Sequence, residues 1–222
     1  MVAPPPARPA RPANLARAFF HLSGATIGIV VIQLVPGRAW MVGIATAVAL
    51  AAWTMELPRR RSEAVNDLLM RLFGPVAHAH EREHVNSATW YATALVLLAA
   101  AFTPVANTMG LAILGIADPV AGMVGRRWGR HRLVSGRSLE GALGFVVAGT
   151  GAAFALARAL YPEVAWSTAL AAAGAAALAG AVTELYSTQL DDNFSIPLVA
   201  AGVAHLALAA LAALSGTSPG PG

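Results

Sequence analysis

Cysteine is absent from the 222 residues, and so is lysine. The first absence excludes disulfide cross-links, thiolate metal ligands and cysteine nucleophiles, and it leaves the redox compartment unspecified. The second makes every strong base an arginine, so any phosphate contact here is a guanidinium fork or a backbone N–H. Charge of either sign is scarce, at 12% of residues against 57% hydrophobic, far from soluble averages. The Gly-x4-Gly-Lys-Ser/Thr pattern of a nucleotide-binding P-loop is also missing. A net charge of +4 would suit nucleic acid. The arginines, however, sit in short stretches between apolar runs, as membrane topology requires, and nucleic acid is excluded as a partner.

What the chain has in abundance is Ala, Leu, Val and Gly in long runs. Such runs read as transmembrane helices, which need about 20 apolar residues each. The pattern predicts an all-α integral membrane bundle of about seven spans in a single catalytic domain, residues 15–214. The spans are Ala18–Val35, Ala39–Leu57, Ser87–Thr103, Val105–Val124, Leu139–Leu160, Val164–Ser187 and Phe194–Leu214. The third is short. Residues 1–14, rich in Pro, Ala and Arg, read as a disordered tail, and residues 215–222 as a flexible one. The first apolar run is long and lacks a small-residue cleavage pattern, so it reads as an uncleaved helix. There is no internal repeat.

Arginine counting sets the orientation. With alternating spans, one side holds 13 of the 15: Arg8, Arg11 and Arg17, then Arg59, Arg60, Arg61, Arg71 and Arg82, then Arg126, Arg127, Arg130, Arg132 and Arg137. The other side holds Arg38 and Arg158. The bias predicts a cytoplasmic N-terminus and an external C-terminus; the expected location is the inner membrane of a prokaryote, as a multi-pass protein. Val65, Leu68, Leu69, Leu72, Phe73 and Val76 recur at helical spacing between spans two and three. They predict an amphipathic helix, either in the membrane interface or packed on the bundle. Trp40, Trp53, Trp90 and Trp166 fall near span ends, as interfacial anchors do.

Three constellations could carry chemistry. Asp118 is an acid near the end of an apolar span, where it is expensive and by default functional; Pro119 after it predicts a break in the helix. Alternatively Asp118 is a packing acid paired with an arginine. The loop Gly125–Arg137 interleaves Gly125, Gly129 and Gly136 with five arginines and leads to Ser138 and Glu140. It reads as a phosphate-binding loop or as an ordinary positive-inside loop. Glu184, Asp191, Asp192 and Asn193 crowd carboxylates at the same membrane surface, where a cation would relieve their repulsion; Mg²⁺ prefers such oxygen ligands and bridges carboxylate to phosphate. The plainer reading is that Asp192 or Asn193 caps span seven. Glu56 with Arg59 is a helix-end ion pair or part of the polar site, and His21 a polar group between helices on the site's side. His80-Glu81-Arg82-Glu83-His84 matches the H-E-x-x-H zinc-protease pattern. It lies in a polar junction rather than inside a span, which argues for chance. Together, a phosphate-handling loop and acids at a membrane surface suggest chemistry on a lipid.

The cassette resembles the CTP-dependent lipid-kinase family of dolichol kinase, phytol kinase and the yeast-type diacylglycerol kinase, related to membrane cytidylyltransferases. The resemblance rests on Asp118-Pro119-Val120-Ala121 with Gly125-Arg126 and Trp128-Gly129-Arg130. It continues through Ser138-Leu139-Glu140-Gly141 and through Glu184 with Asp191-Asp192-Asn193-Phe194-Ser195-Ile196-Pro197-Leu198. Weaker echoes are Arg17 to His21, Glu56 to Arg59, and Glu83 with Ser87-Ala88-Thr89. Arginine stands where the family often has lysine, and the chain is short for the family. The resemblance implies transfer of the γ-phosphoryl group of CTP to a membrane lipid alcohol. Gly125, Arg126, Gly129, Arg130, Arg132, Ser138 and Glu140 would then bind the nucleotide triphosphate. Asp118, Asp191 and Asp192 would hold Mg²⁺, and Asp118, Asp192 and Glu184 would serve catalysis. Glu140 would orient an arginine or the nucleotide. A phosphatidate cytidylyltransferase and a transporter of an anionic or lipid substrate are the alternatives, and association into a homo-oligomer is left open.

Overall fold

The computed structural model describes residues 15–73, 84–133, 136–186 and 190–215, and they are helical almost throughout. In chain order the helices are α1 (Leu15–Leu34), α2 (Arg38–Arg61), α3 (Glu63–Phe73), α4 (Ser87–Ala101) and α5 (Pro104–Ala112). A π-helical turn (Ile113–Ala117) joins α5 to α6 (Asp118–Trp128), followed by α7 (Leu139–Leu160), α8 (Trp166–Tyr186) and α9 (Asp192–Ser215). Five stretches are long and apolar enough to cross a membrane: Arg38–Arg61, Pro104–Trp128, Leu139–Leu160, Trp166–Tyr186 and Asp192–Leu214. The apolar parts of α1 and α4 are shorter. Each expected span overlaps a helix, five of them long and apolar enough to cross a membrane, and the third is short, at 15 residues. The expected N-terminal tail and nearly all of the C-terminal one lie outside the described residues.

The rod formed by α5, the π turn and α6 runs through the middle, packed by α1, α7, α8 and α9. Its Met109, Leu111 and Ile113 are fully buried with Phe145 of α7 and Ile196 of α9. The face that α8 turns inward is nearly all alanine: Ala169, Ala172, Ala173, Ala176 and Ala177 are buried to the backbone. Small residues let helices approach closely where no hydrophobic effect drives them together. The outer surface is apolar as well. Val147 is 74% and Leu206 68% exposed, which in water would be a liability and in lipid is the expected solvent-facing side.

The helix does not break at Pro119, contrary to the sequence expectation. Proline removes the N–H that would bond the Gly115 carbonyl, and its ring crowds that carbonyl. The wider π turn absorbs the conflict and the chain runs on as α6. Gly115 also lets α1 come close: a Cβ there would stand 2.4 Å from the Ala25 Cβ. The close approach seats His21 of α1 beside Asp118.

Helix α3 forms as its periodicity predicts and packs on α2; Val76 lies outside the described residues. Trp40 and Trp166 are exposed, as anchors would be. Trp53 and Trp90 turn inward instead. The Trp53 indole donates to Thr93 Oγ1 at 3.2 Å, and the Trp90 ring meets Phe194 edge-on at 5.2 Å. At the end of the bundle away from Asp118, Arg38 donates to the carbonyls of Ala100 and Phe102. Arg158 caps the Pro162 and Val164 carbonyls there. Arg38 thus closes the end of α4, and Arg158 braces the turn between α7 and α8.

Candidate active site at the arginine-rich end of the bundle

The other end gathers the starts of α1, α4, α7 and α9 and the ends of α2, α6 and α8. Asp118 opens α6, and His21 Nδ1 lies 3.6 Å from its Oδ2 with the imidazole buried. Glu184, 4% exposed, closes α8, and Asp192 opens α9. These three carboxylates come from three helices and lie within one another's electrostatic reach.

Between them stands Arg137, the last of the five arginines of the candidate phosphate loop, though not among the residues expected to bind the nucleotide. Its Nη1 donates to Glu184 Oε1, and its Nη2 donates to Asp192 Oδ2 at 2.7 Å. Burial works against its charge, but the Glu184, Asp192 and Asp118 carboxylates outweigh it and hold the guanidinium above its ordinary pKa. The usable sequence signal was its place immediately before Ser138-Leu139-Glu140-Gly141.

Asp191 plays a different part from its neighbour. Its Oδ1 accepts from the backbone and side-chain N–H groups of Asn193, at 2.9 and 2.8 Å. Its Oδ2 accepts from Ser87 Oγ at 2.6 Å. Asp191 thus caps α9 and ties it to the start of α4; the cap expected at Asp192 or Asn193 falls at Asp191 instead. Asp192 Oδ1, by contrast, is buried with no hydrogen-bond partner among the described residues. Three ligands close enough to hold a bare cation do not occur among those residues. Asp118, Asp191 and Asp192 are therefore not assembled as a ready-made metal cage. Mg²⁺ needs only one or two carboxylates when phosphate oxygens complete its shell, and an unsatisfied buried Asp192 oxygen fits that role.

The arginine loop returns on itself. Arg132 and Ser138 form an antiparallel bridge, Leu133 N donates to Arg137 O at 2.8 Å, and Leu139 N donates to His131 O at 2.9 Å. Glu140 clamps this turn: its Oε1 lies 2.7 Å from His131 Nδ1, where the resemblance implied an arginine or the nucleotide. Ser138 Oγ accepts from Gly141 N at 3.1 Å and caps α7. Of the three loop glycines only Gly136 takes a positive φ, +78°. Gly129 is needed for proximity: a Cβ there would stand 2.2 Å from the Gly125 carbonyl oxygen and 2.7 Å from Ser138 Oγ. Its N–H donates to that same Gly125 carbonyl, so these glycines weld α6 to α7 and do not present a cradle of open N–H groups. Arg126, Arg130 and Arg132 are exposed around the weld. The Arg126 guanidinium lies back over Gly122, where a Cβ would be 3.1 Å away, one turn from Asp118.

Replacing Gly129 with alanine is expected to cost about 1–3 kcal/mol of stability through overpacking against backbone. Gly151→Ala, with nothing within 4 Å of the added methyl, is the matched control. Melting both variants in detergent checks this; equal midpoints would show that the corner yields freely.

Beyond this site, Glu56 and Arg59 make a buried forked pair. Arg59 Nη2 reaches Glu56 Oε1 at 2.6 Å and Nε reaches Oε2 at 3.1 Å. Arg59 also donates to Asn66 Oδ1 and to the His84 carbonyl, at 2.9 and 2.6 Å. It is an internal fastener of α2, α3 and the approach to α4. His80 to Glu83 of the H-E-x-x-H match lie outside the described residues, and the His84 carbonyl serves Arg59.

Fold and site define an all-helical, multi-pass membrane bundle with an acid and arginine centre at one end. The chain is 26% identical over 204 residues to the phytol kinase of Synechocystis sp., covering 87% of this chain and 79% of that protein. It is 28% identical over 102 residues to the CTP-dependent diacylglycerol kinase 1 of Schizosaccharomyces pombe, covering 45% and 47%. These homologues are consistent with the CTP-dependent lipid-kinase family that the motifs resemble. No family model matches the chain, and no solved structure does.

Proposed function

We propose that this protein is a membrane lipid kinase that moves the γ-phosphoryl group of CTP to a lipid alcohol at the cytoplasmic surface. The observation that carries the reading is the convergence of Asp118, Glu184 and Asp192 with Arg137 where an apolar bundle meets its arginine-rich loop. Phosphoryl transfer asks for positioning and charge neutralisation rather than covalent catalysis, and this is a set of charges held by helix ends. Seven spans with the N-terminus inside would put the site in reach of cytoplasmic nucleotide, and the arginine bias supports that orientation.

In this mechanism Arg126, Arg130 and Arg132 hold the triphosphate, with Arg126 lying toward Asp118. Asp118 and Asp192 would hold Mg²⁺, which supplies charge neutralisation on the phosphate oxygens. Asp191 keeps α9 in place, and Glu140 with His131 keeps the loop in place. The alcohol enters sideways from the bilayer. Its oxygen bonds to the γ-phosphorus, the bond to the β-phosphate oxygen breaks, CDP leaves, and a site carboxylate takes the hydroxyl proton. The continuity of the helix through Asp118-Pro119 counts against a transporter, whose case rested on a discontinuous helix.

The test uses purified protein with Mg²⁺, phytol, polyprenol, diacylglycerol and phosphatidate, and CTP labelled separately at the α and γ phosphates. The γ label is expected to move to an alcohol. The α label appearing in a CDP-lipid would instead establish a cytidylyltransferase, and movement of neither would overturn both.

A further inference from the structure

We infer that Arg137 is a resident counter-cation that bars divalent metal from the acids until a nucleotide phosphate draws its guanidinium away, so that metal and nucleotide enter as one unit. This rests on the lipid-kinase reading for the identity of the nucleotide, though not for the metal chemistry.

The argument begins with charge. Three carboxylates brought together by separate helices repel one another, and Glu184 is nearly sealed from water. An unpaired buried carboxylate is costly, so the fold needs a cation there at all times. Arg137 is that cation, forked between Glu184 and Asp192. The guanidinium takes one oxygen of each acid and leaves Asp192 Oδ1 without a partner among the described residues. While it stays, a divalent ion would have to approach a cationic group and share acids already bonded.

Arg137 is also free to leave. It comes from the loop rather than from a helix, and its side chain is 37% exposed while Glu184 is 4% exposed. Guanidinium groups pair with phosphate in the same forked geometry as with carboxylate. A triphosphate arriving among Arg126, Arg130 and Arg132 offers Arg137 a second anionic partner at the mouth of the site. As the fork turns outward, Glu184 and Asp192 are left needing a cation, and the one carried by the triphosphate is at hand. The exchange keeps the acids neutralised at each stage and forms or breaks no covalent bond.

The test is Mn²⁺ binding, followed by electron paramagnetic resonance on the full chain in detergent, with and without CTP. Wild type is expected to bind Mn²⁺ weakly alone. Arg137→Gln is expected to bind it on the order of ten- to a hundred-fold more tightly without nucleotide, the scale of removing a close like charge from a partly buried site. Adding Asp192→Asn to that variant should abolish the gain. If Arg137→Gln does not fold, Arg137→Lys carries the same test with a smaller gain, because an ammonium cannot fork both acids. Tight Mn²⁺ binding to wild type without CTP, or no gain in the Arg137 variant, overturns the inference. Assaying γ-label transfer on the same wild-type preparation separates the two readings. Turnover with no Mn²⁺ gain would refute the counter-cation alone. Mn²⁺ gain with no transfer to any alcohol would refute the kinase alone.

Discussion

Asn in place of Asp118 is expected to lower γ-phosphoryl transfer by two to three orders of magnitude or more, the scale of removing one preorganised charge from a transition state. Asp192→Asn should do the same. The loss should fall on kcat and not on folding. Asn has nearly the shape of Asp, and the Asp118 environment of α1, the π turn and α6 is built from backbone packing that the change leaves alone. Membrane extraction, gel-filtration profile and melting midpoint should therefore match wild type while product formation disappears. If Asp118→Asn turns over at the wild-type rate, Asp118 leaves the mechanism and its contact with His21 becomes a packing feature. Comparing the two variants also separates roles: a ligand for the metal should show a raised Mn²⁺ requirement, and a proton acceptor should not.

The largest effect on stability is expected at Arg59. Removing its side chain leaves the Glu56 carboxylate, 2% exposed, buried without its forked partner. Breaking such a pair costs about 3–5 kcal/mol. It also releases Asn66 and the His84 carbonyl, so the order of α3 and of the chain leading to α4 should suffer first. Arg59→Ala is thus expected to melt far below wild type in detergent. The double variant Glu56→Leu with Arg59→Met should recover much of the loss, since it removes the stranded charge. If Arg59→Ala melts with wild type, the pair is not the fastener its geometry describes.

Much of this site could be read from residues alone, and the reasons differ from one residue to the next. An acid at the end of an apolar run is costly wherever the chain folds, so Asp118, Glu184 and Asp192 were visible before any coordinates. Span boundaries were visible for the same reason, since apolar length is a physical requirement. Arg137 was hidden because its meaning depends on which acids the helices bring to it, and in sequence it is one of five arginines in a loop. Asp191 and Asp192 are adjacent and chemically alike. Only the direction of the chain entering α9 decides that one caps the helix while the other faces Arg137. Gly125 and Gly129 drew attention as flexible residues. Their real constraint is a distance across a helical corner, which no local pattern encodes. For Glu140 the resemblance implied an arginine or the nucleotide, and the hairpin return of the loop sets His131 against it.

The π turn at Ile113–Ala117 also sets a frame. One residue advances an α-helix by about 100°, so the residue accommodated in that turn rotates everything after it relative to everything before. Asp118, Gly122 and Arg126 share one face of α6, and the turn sets where that face points relative to Met109 in the segment before it. The central helix is thus two helical registers spliced out of phase. Its periodicity cannot be followed unbroken from one half into the other. Aligning relatives through this segment means treating the splice as a position in its own right: a gap of one residue there swings the acid and its arginine to another side of the helix while leaving composition and hydropathy nearly unchanged.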